Sequence, residues 1–260
     1  MRKLFEPIAH SWIARHPEPL GVIEFIGGAL FGTLPWLNYD AFLQSIYDAG
    51  YTVIAVPFRF GFDHEAIAKI LLDERTSIRA LLDYPADLPH IWVGHSLGCK
   101  YIILLEAHGQ IYNQPSLLIA PDIADTRNAV PVPIPGLVEF LDAHGLGAIP
   151  TRAQTQQLVR ESALFNLTGL ISFASDDIAG NQAGLPPESD VGWFVSTLAD
   201  RRLLKAELPG RHNDIIGVSM GEDVFDLDPH DGLVQRGPRA LELLAVELLE
   251  KLRGKAEKLV

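Results

Sequence analysis

Short apolar runs rich in β-branched and aromatic residues alternate along this chain with segments of helical period, and that alternation constrains the fold more than any other feature. Seven runs read as strands, at 11–15, 21–26, 51–57, 90–94, 116–120, 169–174 and 202–208. Between them, Phe42, Leu43, Ile46 and Tyr47 share one face of a helix over 39–48, and Asp63 caps a helix in which Ile67, Ile70, Leu71, Ile78, Leu81 and Leu82 recur at helical spacing. Further helices are predicted over 97–108 and 239–252, the last carrying Leu241, Leu244, Ala245, Leu248, Leu249 and Leu252. The expected class is α/β, with a mostly parallel central sheet flanked by helices. Right-handed crossovers then align the strand C-termini along one edge, where a ligand crevice forms.

A chain of 260 residues at 48% hydrophobic supports one core, so a single domain over 1–260 is expected. One stretch departs from the alternation. Between 122 and 167, Pro131, Pro133 and Pro135 precede helical patterns over 136–144 and 151–162, read as a small cap over the crevice or a packing excursion. Its Val132, Ile134, Leu137, Val138, Phe140 and Leu141 suit either an apolar acyl pocket or the core.

Composition removes several function classes. With 21 Lys plus Arg against 33 Asp plus Glu, the net charge of −12 repels phosphate backbones and anionic lipid, so nucleic acid is not an expected partner. The single cysteine, Cys99, forms neither an intramolecular disulfide nor a multi-cysteine metal site, and suits a reducing, cytoplasmic compartment. Glu6, Pro7, His10, Arg15 and His16 interrupt any signal-peptide run, and the most apolar stretch, 21–37, is broken by Glu24, glycines and Pro35 before it reaches the ~20 apolar residues of a membrane span.

The sharpest motif is Gly94-His95-Ser96-Leu97-Gly98, which fits GxSxG and falls where a buried strand meets a helix without a gap. In such an elbow the serine occupies a tight turn, its oxygen is thrust outward, and the N–H of Leu97 faces a developing oxyanion. His95 reads as elbow wall and Cys99 as a small core residue. A serine nucleophile needs an acid and a base, and the order nucleophile, acid, base is present. Asp176, just after the strand at 169–174, is the first choice for the acid, with Asp177 close behind. His212 follows the last strand and is the expected base, with His230 as rival. The strand at 21–26 runs into Gly27-Gly28-Ala29, so Gly28 or Ala29 is expected to supply the second oxyanion N–H.

No cofactor or metal is expected. The glycines are spaced GGxxxG rather than GxGxxG, no acidic ribose ligand follows at Val56-Pro57-Phe58-Arg59, and neither GK[ST] nor HExxH occurs. The acidic cluster Asp223, Asp226, Asp228 and Asp231 lacks EF-hand spacing and reads as a solvated loop.

The run FIGGALFGTLPWLNYDAFLQSIYDAGYTVIAVPFRFGFDHEAIA, followed by GHSLGCKYIILLE, resembles the family known as domain of unknown function 1350, found in cyanobacteria and plant plastids and similar to α/β hydrolases. The resemblance is strongest from Trp12 to Glu106; LISFASDDIAGN and ELPGRHN resemble the family's acidic and histidine loops, which favours His212 over His230. It implies an α/β-hydrolase fold with a Ser96, Asp176 and His212 triad and brings no established substrate; taken with the residues themselves, the expected activity is a serine hydrolase acting on a small-molecule ester or thioester. Two departures from wider hydrolase habit stand out: no Gly lies three residues before Asp176, and no HG turn occurs at Gly27. The alternative is a noncatalytic protein of the same fold that binds a ligand or partner.

Overall fold

The computed structural model describes residues 4–85, 87–112, 114–123, 125–126, 136–144, 146–162, 166–199, 203–221, 223–227 and 239–256. Strands β3 (Val22–Ile26), β4 (Thr52–Ala55), β5 (His90–His95), β6 (Ser116–Ile119) and β7 (Thr168–Phe173) are buried at every position. That is the burial of parallel strands covered on both faces by helices, and it is why their sequences are continuous apolar runs rather than alternating ones. β8 (Leu204–Leu208) alternates half-buried and exposed residues and closes one edge. At the other edge β1 (Glu6–Ile8) and β2 (Ser11–Ala14) form an antiparallel hairpin, and β2 pairs antiparallel with β4. The order is β1-β2-β4-β3-β5-β6-β7-β8, parallel from β4 to β8.

The chain leaves β3 toward β4 on one side and β5 toward β6 on the other, so the order reverses between β3 and β5. Right-handed crossovers running in opposite directions place their helices on opposite faces. α1 (Pro35–Asn38) and α2 (Asp40–Asp48) lie with α8 (Ala240–Ala256), which covers β6, β7 and β8. α3 (His64–Leu82), α4 (Leu97–Ala107) and α6 (Arg152–Glu161) pack side by side. Asp63 caps α3, accepting from Ala66 N–H at 2.9 Å. Among the described residues, no helix is long and apolar enough to cross a membrane.

All seven expected strands are present within a residue or two of their expected ends. Among the described residues, β1, α1, α7 (Asp190–Thr197), capped by Ser189, and the pair β9 (Gly217–Met220) and β10 (Asp223–Asp226) add to the sequence reading. The last corrects the acidic loop: Asp223 to Asp226 is a strand, paired antiparallel with β9, and Asp226 is fully buried. Asp228, Asp231 and His230 lie outside the described residues.

The stretch from 122 to 167 divides in two. α6 packs along α4 as the crossover helix between β6 and β7, started by a Thr151–Gln154 capping box. Ile149 N–H donates to Phe62 O and Ile149 O accepts from His64 N–H, both at 2.8 Å, and Lys100 Nζ donates to Pro150 O at 2.8 Å. α5 (Leu137–Ala143) stands further out: Leu137, Val138 and Leu141 are half-buried and Phe140 is exposed. Pro131 to Pro135, with Val132 and Ile134, lie outside the described residues.

Candidate active site

Ser96 is the single residue between β5 and α4, with φ 53° and ψ −125°. An L-residue holds such left-handed φ only when its surroundings enforce it, at a cost on the order of 1–3 kcal/mol. Here they do. A Cβ on Gly98 would stand 2.2 Å from Ile26 O and 2.5 Å from Gly27 O, and one on Gly94 2.9 Å from Cys99 N. The first turn of α4 therefore presses directly on the end of β3. Ser96 N–H donates to Ile119 O at 3.0 Å, which pins the turn to β6. Cys99 is buried in the same turn, and burial pushes its thiol pKa up, so it stays protonated as the core residue its position implies.

His212 lies between the other two predicted residues. Its Nε2 is 2.8 Å from Ser96 Oγ and its Nδ1 is 2.8 Å from Asp176 Oδ2. A carboxylate accepts only, so Nδ1 carries the proton and Nε2 offers its lone pair to the serine hydroxyl. Asp176 Oδ1 accepts two backbone N–H bonds, from Ile178 at 2.8 Å and Ala179 at 2.9 Å. Burial alone would raise this carboxyl's pKa, but the hydrogen bond and charge of His212 and the two amides outweigh it, and the pKa is lowered. Asp177, the second choice for the acid, is exposed.

The loops that present these groups are tied to one another. Ala174 N–H donates to Leu208 O at 2.8 Å and Ser175 N–H to Gly210 O at 2.9 Å, joining the acid loop to the base loop. Arg239, just before α8, donates to the carbonyls of Asp214 at 2.5 Å and Ile215 at 3.0 Å and pairs with Glu242. The turn after His212 is thus gripped from behind by a guanidinium fork.

Of the expected oxyanion donors, Leu97 is the first residue of α4, where helix geometry leaves N–H groups without an intrahelical acceptor. Gly28 requires a correction. Its N–H donates to the Tyr39 hydroxyl at 2.8 Å, so that donor is engaged, and its Cα lies so close to the elbow that an added Cβ would be 3.1 Å from Ser96 Cβ. Ala29, the next residue and half-buried, is the remaining candidate.

Two groups of residues escaped the sequence reading. His95 is more than elbow wall: its Nε2 is 2.9 Å from His212 O and its Nδ1 3.0 Å from the Tyr39 hydroxyl oxygen. Asp122, three residues beyond the end of β6, is buried beside the elbow, its N–H 3.4 Å from Ser96 O. Burial raises its pKa; burial and the charge of Asp122 push Asp190 up to about 7, and Asp190 accepts from Ile123 N–H at 3.0 Å and Arg152 Nε at 2.6 Å. A position shortly after a strand at the crevice edge was the only sequence signal for Asp122.

Known proteins place this architecture. An esterase from Rhizomucor miehei is similar at 13% identity and a TM-score of 0.61, over 94% of this chain and 80% of that one. TT1662 from Thermus thermophilus is similar at 14% identity and a TM-score of 0.57, over 97% and 99%. Paleococcus ferrophilus monoacylglycerol lipase is similar at 16% identity and a TM-score of 0.55, over 92% and 98%. At these identities the likeness concerns the fold, which is the α/β-hydrolase fold. No curated protein matches the sequence. A family model matches residues 5–225, and the chain belongs to that family, described as Protein of unknown function (DUF1350).

Proposed function

We propose that this chain is a serine hydrolase that cleaves an ester or thioester of a small-molecule acyl substrate. The observation that carries the proposal is the unbroken hydrogen-bonded series from Ser96 through His212 to Asp176, with both links at 2.8 Å. In this mechanism His212 Nε2 takes the hydroxyl proton as Ser96 Oγ attacks the acyl carbon, and Asp176 holds the Nδ1–H tautomer and stabilises the imidazolium. The N–H groups of Leu97 and Ala29 receive the negative oxygen; removing one such donor typically raises the barrier by ~3 kcal/mol. His212 then protonates the leaving group, and water activated by the same imidazole releases the acid from Ser96.

The bond class is supported by neighbours described as an esterase and a monoacylglycerol lipase. Exposed apolar side chains stand beyond the C-terminal ends of the strands: Leu30 and Leu34 after β3, Ile149 in the crossover after β6, and Ile178 after β7. An uncharged acyl group suits them better than an anion. We place the cap in 136–149, since α6 is committed to packing against α4. Covalent labelling by a fluorophosphonate, together with turnover of short p-nitrophenyl esters and acyl thioesters, tests the proposal. Labelled wild type and unlabelled Ser96→Ala are expected; a wild type that neither labels nor turns over overturns it.

A further inference from the structure

The buried residue before the nucleophile, His95, is hydrogen-bonded at both ring nitrogens, to His212 O at 2.9 Å and to the Tyr39 hydroxyl at 3.0 Å. The Tyr39 oxygen lies in turn 2.8 Å from Gly28 N. Chemistry fixes the direction of every bond in this series. A carbonyl only accepts, so His95 Nε2 carries a hydrogen. Burial and the neighbouring His212 charge hold the His95 pKa down to about 3, so the ring is neutral and Nδ1 keeps its lone pair. The Tyr39 hydroxyl, kept protonated by burial, donates to that lone pair, and its oxygen accepts from Gly28 N–H.

We propose that His95 and Tyr39 are positioning residues that lock the base loop to the oxyanion loop, through a one-way series running Gly28 N–H to Tyr39 O, Tyr39 O–H to His95 Nδ1, and His95 Nε2–H to His212 C=O. The proposal rests on the hydrolase reading of the same site. β3, which carries the oxyanion loop, and β8, which carries the base loop, are separated in the sheet by β5, β6 and β7. Strand pairing therefore cannot set the distance between the loops, and the side-chain series spans the gap. It also occupies the Gly28 amide, which hands the second oxyanion position to Ala29. A neutral ring is required: the His95 and His212 centroids are 5.0 Å apart, and a second imidazolium there would oppose the charge His212 acquires during acylation.

Two measurements test this. In the wild type, ¹⁵N NMR of the His95 ring across the neutral pH range should show a protonated Nε2 and a bare Nδ1; a protonated Nδ1 overturns the proposal whatever the protein's activity. In kinetics, His95→Phe should lower kcat roughly 10- to 100-fold with little change in KM, because displacement of the base misplaces the proton acceptor without touching substrate. His95→Gln, whose amide can still donate to the His212 carbonyl, should recover part of the loss, and Tyr39→Phe should cost about tenfold. Undiminished kcat in folded His95→Phe overturns the positioning role while fluorophosphonate labelling of wild-type Ser96 upholds the hydrolase reading. An unlabelled wild type sinks that reading instead, and the ring tautomer then decides the hydrogen-bond series alone, as it does if His95→Phe fails to fold.

Discussion

Asp176 and Asp177 are chain neighbours with opposite surroundings: Asp176 is 3% exposed and accepts a hydrogen bond from His212 Nδ1, whereas Asp177 faces solvent. The two amides on Asp176 Oδ1 leave Oδ2 aimed at the imidazole. Asp176→Asn should therefore lower kcat roughly 10³- to 10⁴-fold, since an amide favours the wrong imidazole tautomer, while Asp177→Asn stays near wild type. Parallel steady-state kinetics of the two variants check this, and equal mild losses would remove Asp176 from the mechanism.

His212→Ala should abolish the same activity by roughly 10⁴-fold or more, with circular dichroism unchanged. His230→Ala should retain it. A reversed result would transfer the role of base to His230.

Gly98→Ala forces a methyl to within 2.2 Å of Ile26 O, a backbone atom that can yield only if α4 slides off β3. The expected cost is about 3 kcal/mol, near the upper end for overpacking, or roughly 10 °C in Tm for a chain of this size. Gly254 in α8 has nothing within 4 Å of the same probe position, so Gly254→Ala should be neutral or slightly stabilising through helix propensity. Thermal melts of the pair separate steric crowding from a general intolerance of alanine.

Glu24 sits fully buried on β3 with its Oε2 3.3 Å from His90 Nε2. Burial, outweighing the attraction of Arg75, raises its pKa from 4.5 to about 8. In that window the unfolded chain has released a proton that the native chain keeps, so stability falls as pH rises from 4.5 to about 8. His90, whose pKa burial pushes well below 6.5, acts with the opposite sign and makes stability rise with pH up to 6.5. Glu24→Gln removes only the first effect. The Tm of this variant relative to wild type should therefore climb between about pH 5 and pH 8, by roughly 5 °C or more; a difference that stays constant would show that Glu24 is already ionised in the native state.

The strands and the three principal site residues were legible because each rests on a local signal. A continuous apolar run marks a strand buried on both faces, and a serine between two glycines at a strand–helix junction marks an elbow. Asp176 and His212 follow from their places after β7 and β8. Other features depend on contacts the sequence does not print. Asp226 looked like one more solvated carboxylate, yet β9 and β10 fold it inward. α7 has eight residues with a glycine among them, too short for a period to declare itself. The Gly28 N–H is engaged by Tyr39, eleven residues further along, and the His95 ring by a carbonyl 117 residues away.

Arg239 carries a further consequence. The fork that grips the turn beyond His212 belongs to the approach to α8, which spreads across β6, β7 and β8. In chain order Ser96 and Asp176 both precede the segment that grips this turn. The seat of His212 is therefore complete only when α8 lies on the sheet.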